Sequence, residues 1–375
     1  MKKTIIMMAL LCAFISNSTY AQGFSLDFEN PEIDAAPQTG APAVGPFENI
    51  TFGGALDTRF LVPDGKKGRL GIHVNELFIT TTIGDNISVL AEQLLQPSEQ
   101  ASVVGQDHGF VYAVLSNYAF LPEGMSVKIG RFRAKWGYDA RSDSAANPVQ
   151  SLGLKSLGQI TDLGLEVSGY LGDDMDYSFS MLNGPDTLFV NTIDGNGNSI
   201  SVKNPANNPR NSYYARLHYE MNSRFRFGVS YFEGESYTWK NSMSFDTKNL
   251  QVYGALDRSS LVTKRRTAID AGLKLGKLTL NGEYGFGSDE LSGGSQEVKT
   301  YLARADYTFI SNVLSGLFQL DAVDDGFAST KDPIVASTAL SYNLTDESIL
   351  RVFYITGTDS IDEGSLLGTQ LLLAF

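Results

Sequence analysis

The 375-residue chain holds a single cysteine, three histidines and no long apolar run beyond its first residues. Cys12 falls in a segment expected to be removed, which leaves no disulfide, no thiolate nucleophile and no cysteine-based metal site. His73, His108 and His218 supply little for a hydrolytic centre, which needs a histidine backed by a carboxylate or a serine. His218 stands between Arg216 and Glu220 and His108 follows Asp107, and each reads as an ordinary solvated histidine. Apolar residues make up 42% and mean hydropathy is −0.10. No segment past the N-terminus therefore reads as a transmembrane helix. Cationic charge is scarce too, with 29 Lys and Arg against 42 Asp and Glu and a net charge of −13. That balance excludes a nucleic-acid partner.

The N-terminus carries an address. Lys2 and Lys3 form a positive region, residues 4–15 an apolar one, and Thr19-Tyr20-Ala21 a small-residue cleavage site. A lipoprotein reading through Cys12 fails, because Leu11 is too large and the apolar run would be cut short. Residues 1–21 are expected to be cleaved as a signal peptide, which takes the net charge from −13 to −15 as the two lysines leave. Residues 22–49 are acidic, rich in Pro, Ala and Gly, and without apolar period. They read as a flexible leader, with folding into the interior of the following domain as the alternative.

Aromatic residues are plentiful (17 Tyr, 22 Phe), as is glycine (37), which suits strands joined by tight turns. From Ile50 onward, short alternating segments follow one another. Ile50, Phe52, Leu56 and Phe60 alternate with Thr51, Asp57 and Arg59; Tyr213, Ala215 and Leu217 alternate with Tyr214, Arg216 and His218. The last ten residues, L-L-G-T-Q-L-L-L-A-F, place Leu367, Thr369, Leu371, Leu373 and Phe375 on one face. A strand that ends at a terminus leaves a bare backbone edge. Closing a barrel against the first strand satisfies it, and in lipid that closure is compulsory. Short turns at residues 84–86, 122–124, 172–174, 222–223, 276–277, 311–312 and 345–346 alternate with longer polar joins. These are 63–68, 96–108, 134–157, 184–211, 234–264, 288–297, 324–332 and 356–364. The expectation is an all-β, transmembrane antiparallel barrel over 50–375 with about sixteen strands. Eighteen follow if residues 249–256 span as well.

The closing strand ending in Phe375 resembles that of Gram-negative outer-membrane β-barrels. The resemblance implies that Phe375 is an assembly signal read by the barrel-assembly machinery. It also implies that the short turns are periplasmic, that the long joins are external, and that outer-membrane lipid and lipopolysaccharide surround the chain. A barrel this wide leaves an aqueous channel, and the layout is similar to the general porins, in which the third loop folds inward opposite basic wall residues. On that likeness the third join, 134–157, is the constriction, with Arg131, Arg133, Lys135 and Arg141 set against Asp139 and Asp143. Strict alternation from Val127 and Ile129 would instead send Arg131 and Arg133 outward, so a bulge near Gly130 or a place at the outer rim is the alternative for them. A narrower resemblance to phosphate-selective porins fails for want of a lysine ladder.

Inward faces elsewhere mix signs: Arg59, Arg216, Arg226, Arg304 and Arg351 with Asp57, Asp162, Glu166, Glu220, Asp270 and Glu283. The acid excess speaks against a pore built chiefly for anions unless cations concentrate in the lumen. The implied function is passive diffusion of small hydrophilic solutes or ions through a non-enzymatic channel without cofactor or metal, in a homotrimer by family likeness. The rival is a non-channel barrel serving as receptor, adhesin or sheath for a partner. The run 194–199 begins like a calcium loop, then breaks the pattern at Ser199 and Pro205.

Overall fold

The computed structural model describes residues 47–375 apart from 66, 85, 95–109, 117, 119–120, 139–150, 158–160, 185–188, 194–198, 204–210, 247–250, 292–293, 325–333 and 359–364. The expected signal peptide, most of the leader, His108 and most of the 194–199 run lie outside the described residues. Sixteen strands close one antiparallel ring. The first seven are β1 (Phe47–Pro63), β2 (Arg69–Ile83), β3 (Ile87–Leu94), β4 (Val111–Ser116), β5 (Ser126–Arg133), β6 (Thr161–Tyr170) and β7 (Met175–Leu182). β8 (Phe189–Ile193) and β9 (Ser199–Lys203) pair with each other outside the ring. The ring resumes with β10 (Ser212–Met221), β11 (Phe225–Asp246), β12 (Gln251–Leu275), β13 (Leu278–Leu291) and β14 (Gly294–Ile310). It ends with β15 (Leu314–Asp324), β16 (Ile334–Thr345), β17 (Ser348–Thr358) and β18 (Ser365–Ala374). A helix, α1 (Leu152–Leu157), lies between β5 and β6.

The last strand closes on the first in register from Ala55↔Ala374 to Pro63↔Leu366. The backbone of Gly54 then exchanges two hydrogen bonds with Phe375, N to O at 2.8 Å and O from N at 3.1 Å. A Cβ on Gly54 would come within 2.6 Å of the Phe375 ring, so glycine is what lets the terminal aromatic lie across the seam.

Alternation along the strands sorts side chains into two surfaces. The outer one exposes Phe60, Ile79, Leu163, Phe179, Leu217, Ile269, Leu280, Phe318 and Leu320. Aromatics mark its two borders: Tyr170, Phe225, Tyr307 and Phe309 near the short turns, and Tyr213, Tyr231, Tyr284 and Tyr301 towards the long joins. An apolar band between aromatic girdles is what a closed barrel presents to hydrocarbon. A soluble sandwich would bury that face.

The seven short turns fall where expected, and six hold residues with positive φ: Gly84, Gly124, Gly172, Asn222 with Ser223, Gly276 and Asn312. Two long joins do not. Residues 288–297 are mostly strand, since β13 and β14 pair out to Leu291↔Gly294. Residues 234–264 belong to β11 and β12, which continue as a two-stranded hairpin to Asp246↔Gln251. The 249–256 stretch therefore adds no strand to the ring. Expectation and structure part here because apolar-out, polar-in alternation marks only strands that meet lipid, whereas backbone pairing can continue past them.

Candidate functional site: the barrel interior

The inner surface of the ring carries most of the charged residues expected there, and most are paired. Asp57 and Arg59 on β1 are 0% and 2% exposed and meet at 2.6 Å. Arg216 on β10 forks onto Asp270 on β12, Nη1 to Oδ2 at 2.7 Å and Nη2 to Oδ1 at 3.1 Å. Glu166 forms an ion pair with Lys128 Nζ at 3.2 Å and accepts from the Ser180 hydroxyl at 2.8 Å. Arg304 donates to Asp306 through Nε and Nη2 at 2.9 and 2.8 Å. Arg266 pairs with Asp289, and His218 Nδ1 lies 2.7 Å from Asp176. Pairing of this kind is what partial desolvation demands of wall charges. Asp162 is buried on the same surface, while Glu220 is exposed near the short-turn end.

Two parts of the third join enter this interior. Residues 134–138 run from β5 to the wall formed by β11 and β13. There the Gly137 amide donates to Ser230 Oγ at 3.0 Å, and the Tyr138 amide to Glu283 Oε2 at 2.7 Å. Gly137 has φ +55 and lies so close to the Glu283 carboxylate that no Cβ would fit. Tyr138 accepts from Asn281 Nδ2 at 3.1 Å, with the guanidinium carbons of Arg226 and Arg304 4.3 and 5.8 Å from its ring centre. Farther along, Ser151 Oγ accepts from the Leu154 amide at 3.4 Å and so caps α1. The Leu152 amide donates to Asp321 Oδ1 at 3.2 Å. At the other end, fully buried Lys264 donates to the Ser156 and Leu157 carbonyls at 2.7 and 3.2 Å. A cation on a helix's last carbonyls satisfies both hydrogen bonding and dipole.

Apolar packing holds the same segment. Leu152 joins Leu61, Val298, Val323, Val335, Phe353, Ile355 and Leu366 in one cluster. Leu154 and Leu157 join Ala134, Trp136, Phe132, Tyr214 and Phe232 in another. Part of the inward surface is thus a hydrophobic core. Walls covered by an inserted segment obey the rules of a protein interior.

Arg131 follows the strict alternation of its strand. Pairing runs through Gly130 without a shift on either side, so no bulge resets the alternation. Arg131 stands between Val111 and Leu163, which are 50% and 47% exposed, and shares the outward face of Ile129. Arg133 follows the same parity and lays its guanidinium over Phe110 at 5.7 Å. Phe132 and Asp162 hold the inward register positions at this level of β5 and β6. Lys135 is half-buried within the inserted segment, and Asp139, Arg141 and Asp143 lie outside the described residues. Lys128 and Lys264 were not singled out from the sequence. Parity with Val127 and Ile129 places Lys128 inward, whereas Lys264 was hidden in an expected loop.

No protein-family model and no curated protein matches the sequence. The fold has counterparts among solved structures. The anion-selective porin of Comamonas acidovorans is similar over 87% of this chain and 99% of its own, at 13% identity and a TM-score of 0.59. The outer-membrane channel DcaP of Acinetobacter baumannii covers 90% and 99% at 12% identity and 0.58. The outer-membrane protein OmpT of Vibrio cholerae covers 89% and 99% at 10% identity and 0.61. At such identities the likeness is one of fold.

Proposed function

We propose that this protein is a porin of the Gram-negative outer membrane. It is exported by the signal peptide 1–21, carries a periplasmic leader, and acts as a passive, non-enzymatic diffusion channel for small hydrophilic solutes or ions. The observation that carries the reading is the closed sixteen-strand ring, with an apolar outside and paired charges lining its inside. A soluble binding protein has no use for that inversion. The segment 134–157 narrows the channel, since its described parts hydrogen-bond to Ser230, Glu283, Asp321 and Lys264 from within the ring. Phe375 serves the barrel-assembly machinery, lipopolysaccharide surrounds the outer leaflet, and the working unit is a homotrimer.

A second reading, a non-channel barrel that acts as receptor, adhesin or sheath, draws on the two apolar clusters that pack α1 against facing walls. Planar-bilayer recording of the refolded protein separates the two. Stable stepwise conductance supports the channel, and a folded barrel that conducts nothing overturns it.

A further inference from the structure

The net charge of −13 suggests a cation channel, but selectivity answers to the charges that reach the water path and remain unbalanced there. Lumen guanidiniums divide sharply on that point. Arg59, Arg216, Arg266 and Arg304 each hold a carboxylate. Arg226 is bonded to Asn281 at 2.6 Å, but an acid, Glu220, is its cross-strand neighbour. Arg351 differs from all of these. Its cross-strand neighbours are Ser341 and Gln370, both neutral. They are also its hydrogen-bond partners, with Nε donating to Ser341 Oγ at 2.8 Å and Nη1 to Gln370 Oε1 at 2.7 Å. Nη2 has no partner among the described residues and is not among the sealed-off polar atoms of the interior.

Among the described residues, the charged groups acting on Arg351 are Arg59, Asp57 and Arg304. Asp57 is held by Arg59, and Arg304 by Asp306, so the carboxylates that these pairs bring near Arg351 are already engaged by other arginines. Gln370, which also hydrogen-bonds Asp57, keeps its oxygen turned to Arg351. The guanidinium is thus fixed by two neutral acceptors, on a residue that is partly exposed on the inner wall. A fork of fixed N–H donors carrying uncompensated charge matches an oxyanion.

We infer that Arg351 is an anion subsite on the β1–β17–β14 wall of the lumen, taking small carboxylate- or phosphate-bearing solutes, and that it biases permeation towards anions against the sign of the whole chain. The inference rests on the channel reading. Its test is the reversal potential of the refolded, full-length mature protein in planar bilayers under a potassium chloride gradient, repeated with potassium acetate. Arg351→Gln is expected to lower the anion-to-cation permeability ratio by about 3- to 10-fold, the effect of one charge a few ångströms from the ion path. Arg351→Lys keeps the charge and is expected to retain most of the chloride preference but to lose more of the acetate preference, because the fork is gone. Arg131→Leu, which removes the same charge from the outer face, is expected to leave both ratios unchanged. Equal ratios in wild type and Arg351→Gln, in a variant that still conducts, overturn the subsite and leave the channel reading standing. A shift of the same size in Arg131→Leu also overturns it, since overall charge would then be responsible. A folded wild-type barrel that does not conduct overturns both.

Discussion

At the residue scale, Lys264 shows how one side chain of the wall governs a segment far away in sequence. It is fully buried, and its ammonium spends two hydrogen bonds on the Ser156 and Leu157 carbonyls, more than a hundred residues earlier. A buried cation without such partners would not be tolerated. Lys264→Met keeps the length and apolar stem but strands both carbonyls, at a cost of about 1–3 kcal/mol. Because the lost contact belongs to the inserted segment and not to the ring, the barrel is expected to fold. Its single-channel conductance is expected to rise and become noisier as α1 loosens. Conductance identical to wild type would mean that the apolar clusters around Leu152 and Leu154 hold α1 unaided. The same scale governs Arg131. A basic residue before an expected constriction invites a role in it, yet a strand's parity leaves no freedom once Ile129 and Leu163 face out.

At the scale of elements, the β1–β18 seam is the contact on which closure depends, and it forms late in sequence terms because its partners stand at opposite ends of the chain. Gly54 and Phe375 meet there through two backbone hydrogen bonds and through the ring that lies over the glycine. Gly54→Val would drive a branched side chain into that ring. The expected result is a lower yield of folded barrel, read as loss of the heat-modifiable band on a gel. Phe375→Ala is expected to impair folding as well. The two together are expected to do less damage than their sum, as residues in contact do. Strict additivity would show that the ring and the glycine are not coupled. The β11–β12 hairpin makes the complementary point. Both strands are members of the ring, but their mutual pairing continues beyond the reach of β10 and β13, so only that extension is an appendage.

For the whole molecule, the division between a barrel and what precedes it is testable directly. The ring satisfies its backbone internally, while residues 22–46 have no apolar period with which to build a core. Limited proteolysis of the purified outer-membrane form is expected to yield a fragment starting close to Phe47, and intact mass to show residues 1–21 missing. Protection extending well before Phe47 would instead favour a leader lodged in the barrel interior.

Much of this protein was legible in one dimension. Membrane strands advertise themselves by period-two alternation, and turns by Gly, Asn and Asp. Both are local properties, so the sixteen-strand ring and the seven short turns could be read without coordinates. What stayed hidden depends on distance in sequence. Which wall receives Tyr138, which carbonyls Lys264 holds, and which arginines keep a carboxylate follow only from bringing β1, β11–β14 and β17 around a common interior. Charge counts sum over the chain, whereas permeation answers to partners. Arg351 reads in the sequence as one inward arginine among several, and only the fold shows that its flanks are neutral while Arg59 and Arg304 hold carboxylates.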